Sequence, residues 1–308
     1  MIYLKPLGGL CNRLRTIDSL YSLCKTHNID LTILWITDKS LNAPFEKLFQ
    51  QPSFKEFKLT IINCPEGFPE KYFFNPMQKL VNRFKGRKIN NQHEKVLKHL
   101  NEIPENLKLV NSVLKDKYDS KSNIESLSSR EMDTLFLSKI QNLLNPFAEL
   151  KNSSGYISSC YRLYPLENRY TNFIPQKYLT QRILRTTDKF NNTIGIHIRK
   201  SDHETSKKFS TTDKFVDLIN QEIEINPSVT FFLSTDDNTT KESLLTRYPG
   251  RISYNEISDY DRNSSTAVMD AVVDLYCLSK TKKLYGSHHS SFSQVASEIG
   301  GIEEITAK

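Results

Sequence analysis

No apolar run in the 308-residue chain approaches the roughly 18 to 20 residues needed to cross a bilayer. The N-terminus lacks a basic region followed by an apolar segment and a cleavage site, so no leader is expected and the cytoplasm is the expected location. Cysteine is scarce and scattered. Cys11, Cys24, Cys64, Cys160 and Cys277 are odd in number and contain no C-x-x-C pair, which argues against a disulfide framework, a zinc site or a redox motif and for reduced, mostly buried thiols. Neither the phosphate loop G-x-x-x-x-G-K-[ST] nor the dinucleotide fingerprint G-x-G-x-x-G occurs. His197, His203, His288 and His289 invite a metal, but H-E-x-x-H is missing and no Cys/His pairing has zinc spacing, so none is expected. No internal repeat or low-complexity tract appears.

What is present is a soluble globular composition. With 38% hydrophobic residues the chain can bury a sizeable core, and its length favours two domains over one. Forty-two Lys and Arg against 35 Asp and Glu leave a net charge of +7, a bias toward anionic partners. A nucleic-acid partner is not expected, because the excess is mild and no basic-aromatic motif accompanies it. The basic run Lys79 to Lys98 has K-G-R-K at its centre and admits peripheral contact with an acidic membrane, although such runs are usually solvated faces.

Met1 to Pro6 reads as a strand, Asn12 to Asn28 as a helix with apolar residues at Leu14, Ile17, Leu20, Tyr21, Leu23 and Cys24, and LTILWI as a second strand: a βαβ opening. From about Asn63 to Ser129, proline, asparagine and lysine interrupt every periodicity, and only loops and short helices are expected. A proline-bounded polar stretch between Cys160 and Pro175 suits an interdomain crossing, dividing the chain into 1–170 and 171–308. Beyond it, helices and strands alternate: a helix from Pro175, strands Thr193 to Ile198, Thr230 to Ser234, Arg251 to Tyr254 and Lys283 to Tyr285, and helices Thr212 to Ile225, Asn238 to Tyr248, Ser265 to Ser279 and Ser291 to Ile299. That alternation implies a parallel sheet with helices on both faces.

In such sheets ligands gather beyond the carboxyl ends of the strands. Three polar clusters fall there: His197 to Asp202, with Arg199 and Lys200; Asp236-Asp237; and G-S-H-H-S-S-F-S from Gly286. Ser290, Ser291 and Ser293 open the last helix, whose free N–H groups and dipole suit a phosphate, though a serine N-cap alone would be unremarkable. A guanidinium at a neighbouring strand end shifts the balance, since Arg199 can grip a diphosphate bidentately. A nucleotide diphosphate is therefore the expected ligand. Gly8-Gly9 forms a second turn where a ligand can approach the backbone, with Asn12 and Arg13 just inside the following helix; Arg13 has the alternative of pairing with Asp18 or solvent. Asp270 and Asp274, four apart on an apolar helix, need partners if buried, either a guanine edge or a nearby Lys or Arg.

Four pieces in order, P-L-G-G-L-C-N-R-L, H-I-R-K-S-D, F-F-L-S-T-D-D, and D-L-Y-C-L-S-K followed by G-S-H-H-S-S-F-S-Q-V-A-S-E-I, resemble the GDP-fucose-dependent fucosyltransferases. That group includes the α1,6 and α1,2 enzymes, bacterial nodulation enzymes and the protein O-fucosyltransferases. The resemblance covers the first twenty or so residues and most of the chain after Pro175, leaving the middle unmatched. It implies an α/β GT-B fold, two Rossmann-like domains facing a cleft, the C-terminal one holding the nucleotide sugar and the N-terminal one serving the acceptor. It implies an inverting transferase that moves L-fucose from GDP-β-L-fucose to a glycan or glycolipid hydroxyl, with no metal or other cofactor. Rival readings are a transferase using another nucleotide sugar and a nucleotide-sugar-binding protein without catalysis.

Carried over by position, Arg199 supports the leaving β-phosphate, His197 and Asp274 lie near guanine, and Ser290, Ser291 and Phe292 form the phosphate turn. Gly8, Gly9, Asn12 and Arg13 match the N-terminal loop, and Asn12 is taken as catalytic. Lys200, Asp202 and Asp237 are taken as substrate-binding. Two departures stand out. Cys11 occupies a place where the family has a small glycine, and Lys200 one where many α1,6 enzymes carry a second arginine, so the charge is kept and the bidentate fork lost. The general base is unassigned, with Glu204 and Asp18 as candidates.

Overall fold

The computed structural model describes residues 1–52, 57–72, 89–118, 127–150, 153–165, 167, 169–200, 208–257 and 264–308. The chain divides into two compact units, Met1–Lys121 with Leu135–Asn168, and Ser122–Thr134 with Arg169–Lys308. Each is an α/β unit built on a five-stranded parallel sheet.

In the first unit, β1 (Ile2–Pro6) leads into α1 (Leu10–His27) and β2 (Leu31–Ile36); β3 (Leu59–Cys64), α2 (Asn91–Glu102), β4 (Lys108–Leu109), α3 (Asn111–Tyr118), α4 (Ser129–Ala148) and β5 (Gly155–Ser159) follow. The division between the units falls inside α4. The strand order is β3-β2-β1-β5-β4. All six residues of LTILWI are buried, as expected of a strand covered on both faces. Helix α1 ends where Asn28 turns left-handed at φ 51°, with Lys25 and His27 in its last turn complementing the helix dipole. β3, β4, α4 and β5 go beyond the sequence reading, and β4 corrects the expectation of only loops and short helices between Asn63 and Ser129.

The second unit runs α5 (Lys177–Thr187), β6 (Thr193–Ile198), α6 (Thr212–Ile225), β7 (Thr230–Thr235), α7 (Asn238–Arg247), β8 (Ile252–Tyr254), α8 (Ser265–Leu278), β9 (Lys283–Ser287), α9 (Ser291–Gly300) and β10 (Glu303–Ala307). The elements expected from Pro175 onward are all present. β10 is the addition: its E-E-I-T-A lies at the sheet edge and lacks an apolar run. Ile194, Ile196 and Ile198 of β6 join Phe231 and Leu233 of β7, Phe215 and Ile219 of α6, and Leu244 of α7 in one buried core.

The strand order here is β10-β9-β6-β7-β8. The chain leaves β6 for β7 and β8 on one flank, then returns to lay β9 on the other. The gap beyond the carboxyl ends of β6 and β9 is thus a topological switch point, where open α/β sheets leave room for a ligand. Among the described residues no helix is long and apolar enough to cross a membrane.

Candidate active site at the β6 and β9 strand ends

β6 delivers its last residues into the switch point. His197 pairs in register with Ser234 of β7 and Gly286 of β9. One residue past the strand, the Arg199 N–H donates to Ser287 Oγ at 3.0 Å, and the Ser287 hydroxyl donates to the His197 carbonyl at 3.2 Å. Ser287 therefore stitches together the two strand ends that flank the gap. The Lys200 N–H donates to Asp236 Oδ1 at 2.7 Å and ties β6 to the end of β7 in the same way. Both basic residues start from fixed backbone and carry half-buried side chains.

From the other side, the Ser287–Ser290 turn opens α9. A Cβ at Gly286 would meet Ser293 Oγ at 2.5 Å, so glycine lets the first turn of α9 close onto β9. Ser290 is the N-cap, and its Oγ accepts from the Phe292 N–H at 3.3 Å. The Phe292 ring stacks on His197 with centroids 4.8 Å apart and planes inclined by 25°, while Ser290 Oγ lies 3.4 Å from His197 Nδ1. Ser291 is half-buried at the first helical position. His288 is buried, stacked on His289 at 4.0 Å, and donates its N–H to Ser210 Oγ at 2.8 Å. The fold thus brings Arg199, His197, Ser290, Ser291 and Phe292 together around a helix N-terminus. A helix N-terminus next to a strand-end arginine suits a diphosphate, and an aromatic ring stacked on a histidine gives a planar base something to pack against.

Asp274 sits one layer deeper. It is 3% exposed, accepts from Ser234 Oγ at 2.7 Å through Oδ2, and leaves Oδ1 without a hydrogen bond. Burial raises its pKa from 3.8 to about 7, against the lowering influence of the Ser234 and Asn255 side chains; Asp270 raises it further and Arg182 opposes. Asp270 takes the structural alternative left open by its spacing, pairing with Arg182 at 2.6 Å, and Arg182 also donates to Asn255 Oδ1 at 2.9 Å. Asp237 caps α7, accepting from the Thr240 N–H at 2.7 Å, which gives its carboxylate a local task.

In the first unit, Gly8 adopts φ 80°, and a Cβ there would meet Asn12 Nδ2 at 2.9 Å, so both conformation and space require glycine. Gly9 is the N-cap of α1 and contributes no side-chain bond to its first turn. Arg13 is fully buried. Its Nε donates to Gly8 O at 2.8 Å, one terminal nitrogen donates to Ile36 O, and the other pairs with Asp38 Oδ1 at 2.9 Å. The guanidinium lies 5.3 Å from the Trp35 ring centroid. Arg13 is thus committed to holding its own turn and the end of β2, and the carboxylate it pairs with is Asp38. Asp18 is buried in α1.

Asp202, His203 and Glu204 lie outside the described residues. Among the described residues no group of three His, Cys, Asp or Glu side chains is placed to hold a metal ion. Sequence reasoning passed over Ser287, Ser210 and Asp38 as individual contributors. Ser287 stood within the G-S-H-H stretch, but nothing local distinguishes it from its neighbours before its register against His197 is known.

No protein-family model matches the chain, and no curated protein sequence matches it. Solved structures do. Fucosyltransferase NodZ from Bradyrhizobium superposes with a TM-score of 0.56 at 13% identity, covering 96% of this chain and 92% of that one. A point variant of Arabidopsis thaliana FUT1 in complex with GDP gives 0.54 at 14%, covering 99% and 69%. POFUT1 in complex with GDP-fucose gives 0.51 at 11%, covering 99% and 96%. The chain has the fucosyltransferase fold. This fold, α/β with two parallel five-stranded sheets of the GT-B type, is the one the four sequence motifs implied. In the fucosyltransferase fold of this chain, the second, third and fourth motifs converge on the second unit's sheet, around and beneath the β6/β9 switch point.

Proposed function

We propose that this protein is an inverting fucosyltransferase that uses GDP-β-L-fucose. The observation that carries the reading is the position of Arg199 directly after β6, its N–H held by Ser287, at the switch point that the Ser290–Phe292 turn borders from β9. Two comparison structures that share the fold were obtained with this donor: NodZ alpha-1,6-fucosyltransferase soaked with GDP-fucose and POFUT1 in complex with GDP-fucose. The acceptor hydroxyl attacks the anomeric carbon, a new C–O bond forms as the bond to the β-phosphate oxygen breaks, GDP leaves, and the hydroxyl proton passes to a base. Arg199 and the N–H groups at the start of α9 stabilise the negative charge that grows on the departing diphosphate. His197 and Phe292 bound the nucleotide, with Asp274 and Ser234 beneath them. Lys200 adds a point charge. Asp202 supports donor binding, and Glu204 is one candidate for the base.

Gly8, Gly9 and Asn12 form the first unit's ligand-facing turn, Arg13 supports it, and that unit serves a glycan or glycolipid acceptor. With the diphosphate charge met by arginine and backbone amides, turnover does not depend on a divalent ion. The test is product analysis with GDP-β-L-fucose and a panel of glycan acceptors, before and after exhaustive EDTA treatment. We expect equimolar GDP and an α-fucoside, at similar rates in both samples. GDP binding without turnover on any acceptor would leave a binding protein. A loss of rate restored only by Mg²⁺ or Mn²⁺ would overturn the metal-free step.

A further inference from the structure

The phosphate turn is held from outside its own sheet. Ser122–Thr134 comes from the first half of the sequence yet belongs to the second unit, and its described part, with the start of α4, lies along α9. His289 Nε2 hydrogen-bonds the Leu127 carbonyl at 2.8 Å. Gln294 Nε2 donates to Asp133 Oδ2 at 2.7 Å, and both side chains are buried, at 0% and 4% exposure. Arg130 donates to Ser297 Oγ at 2.7 Å and lies 3.8 Å from the Glu304 carboxylate.

These contacts share one geometry. Ser290, Gln294 and Ser297 are spaced four and three apart, so they line one face of α9 that begins at its N-cap. The Gln294 N–H closes on the Ser290 carbonyl at 3.3 Å, so fixing the Gln294 side chain also fixes the first turn. The Gln294 amide has little freedom to reverse. Its Nε2 faces Asp133 and, at 3.3 Å, Glu298; a flipped amide would turn its oxygen toward two carboxylates. Just before the N-cap, His289 adopts φ 55°, a left-handed conformation uncommon for a residue with a Cβ, which persists where surrounding contacts determine it. The contact to Leu127 O is one such restraint.

We infer that Asp133, Arg130 and the Leu127 carbonyl form a strap that positions the His289–Phe292 turn for the donor diphosphate, with Asp133 as its principal positioning residue. The inference rests on the diphosphate reading of that turn. None of the three strap groups needs to touch the donor. They set where the α9 N–H groups and the Ser290 hydroxyl lie.

The experiment pairs amide hydrogen exchange with GDP titration in the intact protein, for Asp133→Ala, Asp133→Asn and Arg130→Ala. In Asp133→Ala, exchange at His289–Phe292 should accelerate about tenfold or more while the β6, β7 and β9 amides keep their protection. The dissociation constant for GDP should rise about tenfold, and the donor KM should rise more than kcat falls. Asp133→Asn keeps an oxygen for Gln294 and should restore most of each effect. If Asp133→Ala does not fold, Arg130→Ala is read the same way, with a smaller expected shift. Unchanged exchange and GDP affinity in a folded Asp133→Ala, or in Arg130→Ala where that variant stands in, would overturn the strap. So would an Asn variant as impaired as the Ala variant. A wild-type protein that does not bind GDP sinks the diphosphate reading instead, and the exchange arm still decides whether the strap orders the turn.

Discussion

In the proposed reaction, Arg199 is the residue on which the chemistry leans most. Its backbone N–H is held by Ser287 Oγ and its side chain is half-buried after a strand end, so removing the guanidinium should spare the fold. Arg199→Ala is expected to lower turnover by about 10²- to 10³-fold, the scale of one preorganised charge-stabilising group. Arg199→Lys should recover part of the loss, because an ammonium keeps the charge without the fork. A steady-state assay showing near-wild-type kcat in a folded Ala variant would remove Arg199 from the mechanism.

Asp274 makes a prediction about stability. Its folded-state pKa is raised from 3.8 to about 7, so between those values the folded protein holds a proton that the unfolded chain has released. The stabilisation is full below about pH 4 and is lost as pH rises through about 7, at up to about 1.4 kcal/mol per pH unit. Asp274→Asn cannot ionise. The stability of the variant relative to wild type should therefore climb from pH 4 to 7 and level off above, as read from denaturant unfolding at a series of pH values. A difference that does not change with pH would contradict the buried, raised carboxylate.

At the scale of elements, α9 has two roles, packing onto β9 and presenting its N-terminus. Ser290→Ala removes the cap bond to the Phe292 N–H and should cost about 0.5–2 kcal/mol of stability. Ser290→Gly should cost only a few tenths, since glycine is tolerated at the cap. If the turn also binds phosphate, both variants should weaken GDP binding, including the glycine variant with its near-normal stability. Equal GDP affinity in Ser290→Gly and wild type would confine Ser290 to capping.

The elements also explain which parts were legible in the sequence. From Pro175 to Ile299 the central strands β6 and β7 are compact, mainly apolar runs and the helices α5 and α6 are amphipathic, so the alternation could be read directly. β10 could not, because an edge strand buries one residue fully and reads as E-E-I-T-A. The strand-end clusters were visible because polar residues directly after buried strands have few structural reasons to be there. The roles of Asp237 and Arg13 were not, since an N-cap and a turn clamp use the same residue types as a ligand site. The strap was invisible in principle: Asp133 and Gln294 are 161 residues apart, and only the tertiary fold makes them neighbours.

At the scale of the whole molecule, two parallel sheets, each with a central strand whose carboxyl end borders a switch point, make the architecture one that binds ligands beyond strand ends. Identity to the compared structures is 11–14%, so what the chain shares with them is a common pattern of elements. The net charge of +7 agrees with an anionic ligand without selecting one. In the proposed function, selection falls to the region around His197, Phe292 and Asp274. Under the proposed function this region takes a guanosine diphosphate. Calorimetric titration of the wild-type protein with GDP, UDP, ADP and CMP tests it most directly: GDP should bind at least tenfold more tightly than the other three. Comparable affinity for all four, or binding to none, would contradict it.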